Sequence, residues 1–417
     1  MPWKERTALE ERKAFIEEWR KGDESVAALC RCFGISRDSA YKWIKRYEVN
    51  GEAGLADLSR APHDSPQRMA QKTEGAILKL RQEHARWGPR KLLAYLKRHQ
   101  PNQHWPAAST VGQLLRREGL AHGRRKRQRT PPYSAPLSHA TAPNQVWCID
   151  YKGWFLCGDG SRCDPLTITD ACSRCLLRCR AVAKTNEEGA RAVLEAVFHE
   201  YGMPEAIRSD NGAPFATSAP GGLSRLSIWW LRLGIRHERI KPGRPDQNGR
   251  HERMHQTLAQ ETANPPRANL RLQQEAFRNF EHEYNFVRPH EALAYRTPGD
   301  LYVASNRQYP CRLPEIEYPR EMLVRRISSM GQLSWKHRDA CISKVLAGER
   351  VGLLEIEDDL FEVYFGPLVL GWFDSVALTF VADRAPRWHR PTAAEPLRTS
   401  APSDQDDKAD QLKTGEV

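Results

Sequence analysis

The alternation of short apolar strands with helices in residues 143–310 is the feature that most constrains how this chain folds. Residues 146–150 and 206–210 are mainly apolar runs that each end in a carboxylate, a pattern that predicts buried strands. Apolar residues at helical spacing predict a helix over residues 185–201, and a polar helix carries Glu252. Because strands alternate with helices, this part of the chain is predicted to be an α/β domain.

The first 122 residues show the pattern of short helices instead. Ala40, Ile44 and Tyr47 fall at positions i, i+4 and i+7, so they predict a buried helical stripe. Ser36 can cap this helix. A short helix, a turn at Gly34 and a basic helix are typical of a helix-turn-helix module. A plain three-helix bundle with a solvated basic face is the alternative.

We assign one helix-turn-helix module to residues 1–60 and, because the pattern recurs loosely, a second to residues 61–122. A basic linker follows over residues 123–142, and its run of arginines is expected to contact phosphate groups. The side chains predicted to contact DNA are Arg37, Tyr41, Lys42, Lys45, Arg46, Arg90, Lys91, Arg124, Arg125, Lys126 and Arg127.

The charge of the chain is concentrated at the same end. The chain has 64 Lys and Arg against 52 Asp and Glu, a net charge of +12. Residues 1–142 hold 28 basic and 15 acidic residues, a net +13, and the remaining residues carry −1. This asymmetry indicates a region that meets a polyanion, although charge alone is equally consistent with a merely soluble basic surface.

Several classes of protein are excluded or disfavoured. No run of 18 apolar residues occurs, so no membrane span is expected. The charged start of the chain does not have the pattern of a signal peptide. The ten cysteines lack the density of a disulfide scaffold, so a reducing cytoplasm is expected. Cys172, Cys175 and Cys179 resemble a metal-binding spacing, but no fourth ligand can be named, so buried thiols are the preferred interpretation.

Two regions follow the α/β domain. Short apolar strands between glycines predict a small β-barrel or sandwich over residues 318–385. Residues 386–417 are rich in Pro, Ser, Asp and Lys and are predicted to be disordered. The chain is therefore expected to be multidomain, with a helical N-terminal part, an α/β core and a small β-rich C-terminal domain.

Three carboxylates lie at positions in the predicted elements that suggest a catalytic role. Asp150 and Asp210 each end a predicted strand, and Glu252 lies on a helix after a loop rich in Gly and Pro. Each is a weak signal alone, because Asp210-Asn211-Gly212 is a good turn sequence and a lone helix glutamate is usually solvated.

The helix that carries Glu252 also contains a rival motif. Residues 251–255 match H-E-x-x-H, in which two histidines at i and i+4 bind zinc and the glutamate is the general base of a peptidase. Three observations count against a peptidase. The flanking residues Arg250, Arg253 and Gln256 are polar, no third ligand follows at the extended spacing, and the basic N-terminal modules stay unexplained.

Taken together, five stretches carry a clear resemblance to a known family. They are residues 147–153, 165–174, 204–212, 242–253 and 284–293. In their order, their spacing and the residues they contain, these stretches resemble the integrase core of DDE-type insertion-sequence transposases, which are relatives of retroviral integrases. The resemblance covers roughly residues 1–310 when the helix-turn-helix part is included.

The resemblance implies an RNase H-like fold for residues 143–310, with Asp150, Asp210 and Glu252 as the catalytic and metal-binding triad. Two Mg²⁺ ions, or Mn²⁺, are the implied cofactors, because clustered carboxylates repel one another until a cation neutralises them. The residues expected to support the active site are Asn211, Gln247, Asn248 and Arg253. On this interpretation the H-E-x-x-H match is a coincidence around the third acid.

The expected function is that of a transposase that binds the end repeats of its element, cleaves the 3′ ends and joins them to target DNA. Its partners would be transposon ends, target DNA and further copies of the chain, with no membrane, in the bacterial cytoplasm at the nucleoid. The alternative is a catalytically inactive, sequence-specific DNA-binding regulator, and the remote alternative is the zinc peptidase.

Overall fold

The computed structural model describes residues 7–58, 69–121, 137, 139–241 and 249–388, with side chains described as far as residue 383. Residues up to 71 form one compact unit and residues from 72 onward form a second.

The first unit contains three helices around a small apolar core. They are α1 (Ala8–Lys21), α2 (Val26–Phe33) and α3 (Arg37–Asn50). The Ser36 hydroxyl caps α3 by accepting a hydrogen bond from the Ser39 amide at 3.1 Å. Ala40 and Ile44 are buried with Phe15 and Leu29, which confirms the predicted stripe.

The second unit begins with another three-helix module that packs on the α/β core. Its helices are α4 (Gln71–Glu83), α5 (Pro89–His99) and α6 (Ala108–Arg117). The Arg98 guanidinium donates two hydrogen bonds to the Asp300 carboxylate, at 2.7 and 2.9 Å. His84 Nδ1 lies 3.0 Å from the Glu283 carboxylate. These contacts attach the module to the core.

The core is built on a six-stranded mixed sheet. Its strands are β1 (Val146–Tyr151), β2 (Phe155–Leu156), β3 (Arg162–Asp170), β4 (Leu176–Val182), β5 (Ala206–Ser209) and β6 (Arg236–Arg239). The order is β2-β3-β1-β5-β6, with β4 also paired to β3. β1 is antiparallel to β3 and parallel to β5, and β5 is parallel to β6. This mixed sheet confirms the predicted RNase H-like core.

Helices cover both faces of the sheet. They are α7 (Glu187–Tyr201), α8 (Arg225–Arg232), α9 (Gly249–Thr262) and α10 (Leu270–His282). Trp147 and Ile149 of β1 pack in one cluster with residues of α7 and α8. Met254 of α9 and Phe277 of α10 pack in another cluster with Cys179 of β4. Because side chains alternate along a strand, Asp150 faces away from the side of β1 that carries Ile149.

Side chains of α10 and of the turn after it protect the open edge of β4. Gln274 accepts a hydrogen bond from the Ala181 amide at 2.8 Å and donates one to the Cys179 carbonyl at 3.0 Å. The buried Asn285 amide makes a matching pair of hydrogen bonds with the backbone of Leu176. The backbone groups of this edge are thereby satisfied without a further strand.

A β-rich region closes the described chain, as predicted. Its strands are β7 (Leu323–Arg326), β8 (Gln332–Trp335), β9 (Arg338–Cys341), β10 (Arg350–Glu357), β11 (Leu360–Phe365), β12 (Leu368–Asp374) and β13 (Thr379–Trp388). Five strands form an antiparallel sheet in the order β13-β12-β11-β10-β7, and β8 pairs with β9. Ile228 and Leu231 of α8 join the apolar core of this region, so it packs directly on the α/β core.

Candidate active site

Asp150 and Asp210 stand at the same level on neighbouring strands. The parallel pairing of β1 with β5 aligns Cys148 with Arg208. Asp150 lies two residues after Cys148, and Asp210 lies two residues after Arg208. Adjacent strands are about 4.8 Å apart, so this register places the two half-buried aspartates at matching positions on neighbouring strands. The Gly212 amide donates a hydrogen bond of 3.2 Å to Asp210 Oδ1 and orients that carboxylate.

Thr167 connects Asp150 to helix α9. Thr167 is the partner of Asp150 in the antiparallel register of β1 with β3, and its hydroxyl donates to the Asp150 carbonyl oxygen at 3.1 Å. The same Oγ1 lies 2.6 Å from His251 Nε2 and 2.7 Å from His255 Nε2. Both histidines are on α9, one helical turn apart, so this buried contact holds the helix against β3.

Burial keeps both imidazoles of α9 uncharged. Desolvation lowers the pKa of His251 to about 3. Desolvation, together with the neighbouring His251 imidazole and the positive charge of Lys152, lowers the pKa of His255 to about 2. Neither ring carries a proton beyond its neutral form near pH 7, so each keeps one nitrogen lone pair available.

Glu252 lies in the first turn of α9, between the two histidines in sequence, and it is exposed. The contacts of its neighbours with Thr167 place the start of α9 beside Asp150. Arg253 is exposed on the same turn. The sheet therefore places Asp150 and Asp210 at matching positions on neighbouring strands, and α9 packs beside Asp150. Within the described residues, the group of possible metal ligands that lie within 4.8 Å of one another contains Asp150 with the two histidines of α9, and it contains neither Asp210 nor Glu252.

Of the predicted supporting residues, Asn211 has a defined contact. It is exposed, and its Nδ2 donates a hydrogen bond of 2.8 Å to the Ile240 carbonyl, which ties the loop after β5 to the end of β6. Gln247 and Asn248 lie outside the described residues.

The donor set at this site suits two kinds of cation. Carboxylate oxygens such as those of Asp150 and Asp210 are the ligands that Mg²⁺ prefers, so these residues fit the implied cofactor. Asp150, His251 and His255 also each offer a ligand atom within 4.8 Å of the other two. The sequence did not lead us to this cluster. Its available signal was the i, i+4 spacing of the histidines, and only the fold places Asp150 beside them.

Most of the predicted DNA contacts in the first unit are accessible. Arg37, Tyr41, Lys42 and Lys45 are exposed on α3. Arg46 differs, because it is half-buried and its Nη2 donates a hydrogen bond of 2.6 Å to the Ala56 carbonyl.

The predicted contacts in the second module lie next to the core. Arg90 is exposed, and its Nη1 is 3.2 Å from the Glu291 carboxylate. Lys91 is half-buried, and burial, together with the charge of Arg288, lowers its pKa to about 8. Both side chains are thus engaged by the catalytic domain. The remaining predicted contacts, Arg124, Arg125, Lys126 and Arg127, lie outside the described residues.

The cysteines with metal-like spacing are packed into the fold. Cys175 and Cys179 are buried and Cys172 is half-buried. Burial raises the pKa of Cys175 to about 12, so its thiol stays protonated at neutral pH.

Protein-family models match two regions of the chain. Models described as integrase core domain match residues 140–245 and 233–298. A helix-turn-helix domain model matches residues 11–63, and a homeodomain-like domain model matches residues 39–115.

The chain is also similar to individual proteins. The uncharacterized 31.7 kDa protein of insertion element IS407 from Burkholderia multivorans is 30% identical over 236 residues, which cover 54% of this chain and 78% of the relative. Transposase InsD for insertion element IS2-9 from Escherichia coli is 25% identical over 301 residues, which cover 67% of this chain and 93% of the relative. The magnesium complex of the HTLV-2 integrase catalytic core domain in its trimeric form aligns with a TM-score of 0.31 and 15% identity, covering 38% of this chain and 97% of that one.

The helix-turn-helix region and the integrase core define a DNA-binding protein with a polynucleotidyl-transferase-type enzyme domain. Within that class, the chain belongs to the insertion-sequence transposases with an integrase-like core. Among the helices in the described ranges, none is both long and apolar enough to cross a bilayer.

Proposed function

We propose that this transposase binds the terminal repeats of its element, cleaves the 3′ ends and joins them to target DNA by two-metal phosphoryl transfer. The observation that supports the proposal is the parallel register of β1 and β5, which aligns Cys148 with Arg208, two residues before Asp150 and Asp210 respectively. Membership of the family supports a phosphoryl-transfer reaction on DNA, and the two carboxylates are the proposed site of that reaction.

Asp150, Asp210 and Glu252 are the proposed ligands of two Mg²⁺ or Mn²⁺ ions. Clustered carboxylates repel one another, so a bound cation is expected to stabilise the arrangement. When bound, such ions would supply Lewis-acid activation of a water or a 3′-hydroxyl and stabilisation of the leaving oxygen.

Other side chains would shape the site and position the DNA. The contacts of His251 and His255 with Thr167 hold α9 in place and thereby position Glu252. Asn211 braces the loop after Asp210 through the Ile240 carbonyl, so its loss should disturb DNA placement more than metal binding. Gln247 and Asn248 are proposed to help position DNA, and the exposed Arg253 is proposed to contact a phosphate group.

DNA ends are proposed to be recognised by the helix-turn-helix modules, assigned to residues 1–60 and 61–122. Arg37, Tyr41, Lys42 and Lys45 form an exposed basic face on α3 that suits a DNA groove and its phosphates. Two ends must be held together for joining, so we expect a homo-oligomer on DNA. Because the substrate is genomic DNA, the proposed location is the bacterial nucleoid.

A strand-transfer assay with labelled end DNA tests the proposal. Asp150→Asn keeps the size of the side chain but removes its charge, so it should abolish both cleavage and joining and leave end binding intact. Asp358→Asn, at an exposed turn of the β-rich domain, is the matched control and should retain both steps. Strand transfer by Asp150→Asn would overturn the assignment. End binding by the wild type without any metal-dependent cleavage would favour a DNA-binding regulator.

A further inference from the structure

The two histidines of α9 are not required by magnesium chemistry. Mg²⁺ takes oxygen ligands, whereas neutral imidazole suits zinc and other late transition metals. Both rings are nevertheless directed at the region of Asp150, where one ligand atom from each of the three residues lies within 4.8 Å of the others. His251 is buried and His255 is half-buried, so the cluster is shielded from bulk water.

The surroundings of His251 suit a metal ligand. Its Nδ1 lies 3.3 Å from Thr169 Oγ1, and its Nε2 lies 2.6 Å from Thr167 Oγ1. In the metal-free site the Thr167 hydroxyl donates its proton to the Asp150 carbonyl, so His251 Nε2 is the donor to Thr167 Oγ1. On binding a cation the ring would take the other tautomer, in which Nδ1 donates to Thr169 and the Nε2 lone pair binds the cation in place of its contact with Thr167. Metal-binding histidines commonly make such a second hydrogen bond, which sets the tautomer and the orientation of the ring.

His255 completes the arrangement from one turn further along α9. Its Nε2 lies 2.7 Å from the same Thr167 oxygen, so both Nε2 atoms converge on one point beside Asp150. A cation at that point would exchange these contacts for ligand bonds. Two imidazoles and one carboxylate make three protein ligands of a tetrahedral zinc site, and a water or the Thr167 hydroxyl can take the fourth position.

We propose that Asp150, His251 and His255 form a Zn²⁺ site, and that zinc bound there inhibits transposition by withdrawing Asp150 from the catalytic cation. The inhibitory part rests on the function proposed above, whereas the binding part does not. The site differs from that of an H-E-x-x-H peptidase because its third protein ligand comes from β1 of the integrase core. The proposal accounts for both histidines, which the transposase reaction leaves without a role as ligands.

Zinc binding is measured first, without reference to activity. Equilibrium dialysis of the full chain against Zn²⁺ should give one tight site, and Co²⁺ in its place should show the visible spectrum of a tetrahedral site without thiolate bands. His255→Gln should weaken binding by at least 100-fold. Thr169→Val, which is nearly isosteric, should weaken it by about 10- to 100-fold through loss of the second hydrogen bond, and Thr169→Ser should restore it.

Two control variants exclude other sites. His104→Gln removes an exposed histidine and Cys172→Ser removes the most accessible thiol of the cysteine group, and neither should change zinc affinity. The absence of a tight site, or a site that survives His255→Gln and disappears with Cys172→Ser, would overturn the proposal.

Inhibition is measured second and separates this proposal from the proposed function. Zn²⁺ should inhibit Mg²⁺-supported strand transfer, and Thr169→Val should require about 10-fold more zinc for the same inhibition. Glu252→Gln should lose strand transfer and still bind zinc. Wild-type strand transfer that is insensitive to saturating zinc would refute the inhibitory role, whereas zinc binding by a chain that never joins DNA would refute only the proposed function.

Discussion

The two hydrogen bonds between Asn285, in the turn after α10, and strand β4 are expected to contribute measurably to the free energy of unfolding. Asn285 Oδ1 accepts a hydrogen bond from the Leu176 amide at 2.8 Å, and its Nδ2 donates one to the Leu176 carbonyl at 2.9 Å. The side chain is 6% exposed, so water cannot replace these bonds readily. Asn285→Leu keeps the number and branching of the side-chain heavy atoms and leaves two buried backbone groups unpaired. At about 1–3 kcal/mol for each orphaned group, we expect a loss of about 2–6 kcal/mol.

Thermal unfolding followed by circular dichroism measures this loss, which corresponds to roughly 5–15 °C in the midpoint for a domain of this size. Hydrogen exchange at the Leu176 amide should accelerate in the same variant. Gln274→Leu is the control, because Gln274 makes the same pair of bonds to β4 from a partly buried position. It should cost only about 1 kcal/mol. A loss below 1 kcal/mol for Asn285→Leu, or a larger loss for Gln274→Leu, would refute the reasoning.

Three further predictions concern charge. Burial raises the pKa of Glu281 from an ordinary 4.5 to about 7. Ionising this buried carboxyl therefore destabilises the folded state, and the loss of stability grows as the pH rises from the ordinary pKa through the raised one. Glu281→Gln should therefore raise the unfolding midpoint at pH 8 and not at pH 5, and an equal effect at both pH values would count against burial as the cause. Lys42→Ala should weaken end binding and lower the slope of log affinity against log salt by about one, and an unchanged slope would exclude a phosphate contact. The Arg98 hydrogen bonds lower the pKa of Asp300, so the stability they add is present above pH 4 and lost in acid. In acid melts the stability of wild type and Arg98→Ala should converge as the pH falls; a constant difference would contradict this.

Local pattern accounts for the parts of the fold that were predictable. The buried stripe of α3 and its Ser36 cap depend on residues within one or two helical turns, and both are present. The strands that end near Asp150 and Asp210 are also local apolar runs. The RNase H-like fold was implied by resemblance to a family, and the order of the strands in the sheet was not predicted.

The contacts that could not be predicted join residues far apart in the chain. Thr167 and His251 are separated by 84 positions, and Leu176 and Asn285 by 109. The residues around one partner do not indicate which distant residue it will contact, because these contacts depend on how α9 and α10 pack on the sheet. For the same reason Lys91 was predicted from the sequence to contact DNA, whereas in the fold its side chain is half-buried against the core.

Asp150 and Asp210 are proposed to act together on the reacting phosphate. The most direct test is the rate of Mg²⁺-dependent joining of labelled end DNA by Asp210→Asn, compared with wild type and Asp358→Asn. Loss of a carboxylate that holds a catalytic cation removes several kcal/mol of transition-state stabilisation, so we predict a fall of about 10³-fold or more with end binding unchanged. A rate within 10-fold of wild type would contradict the account.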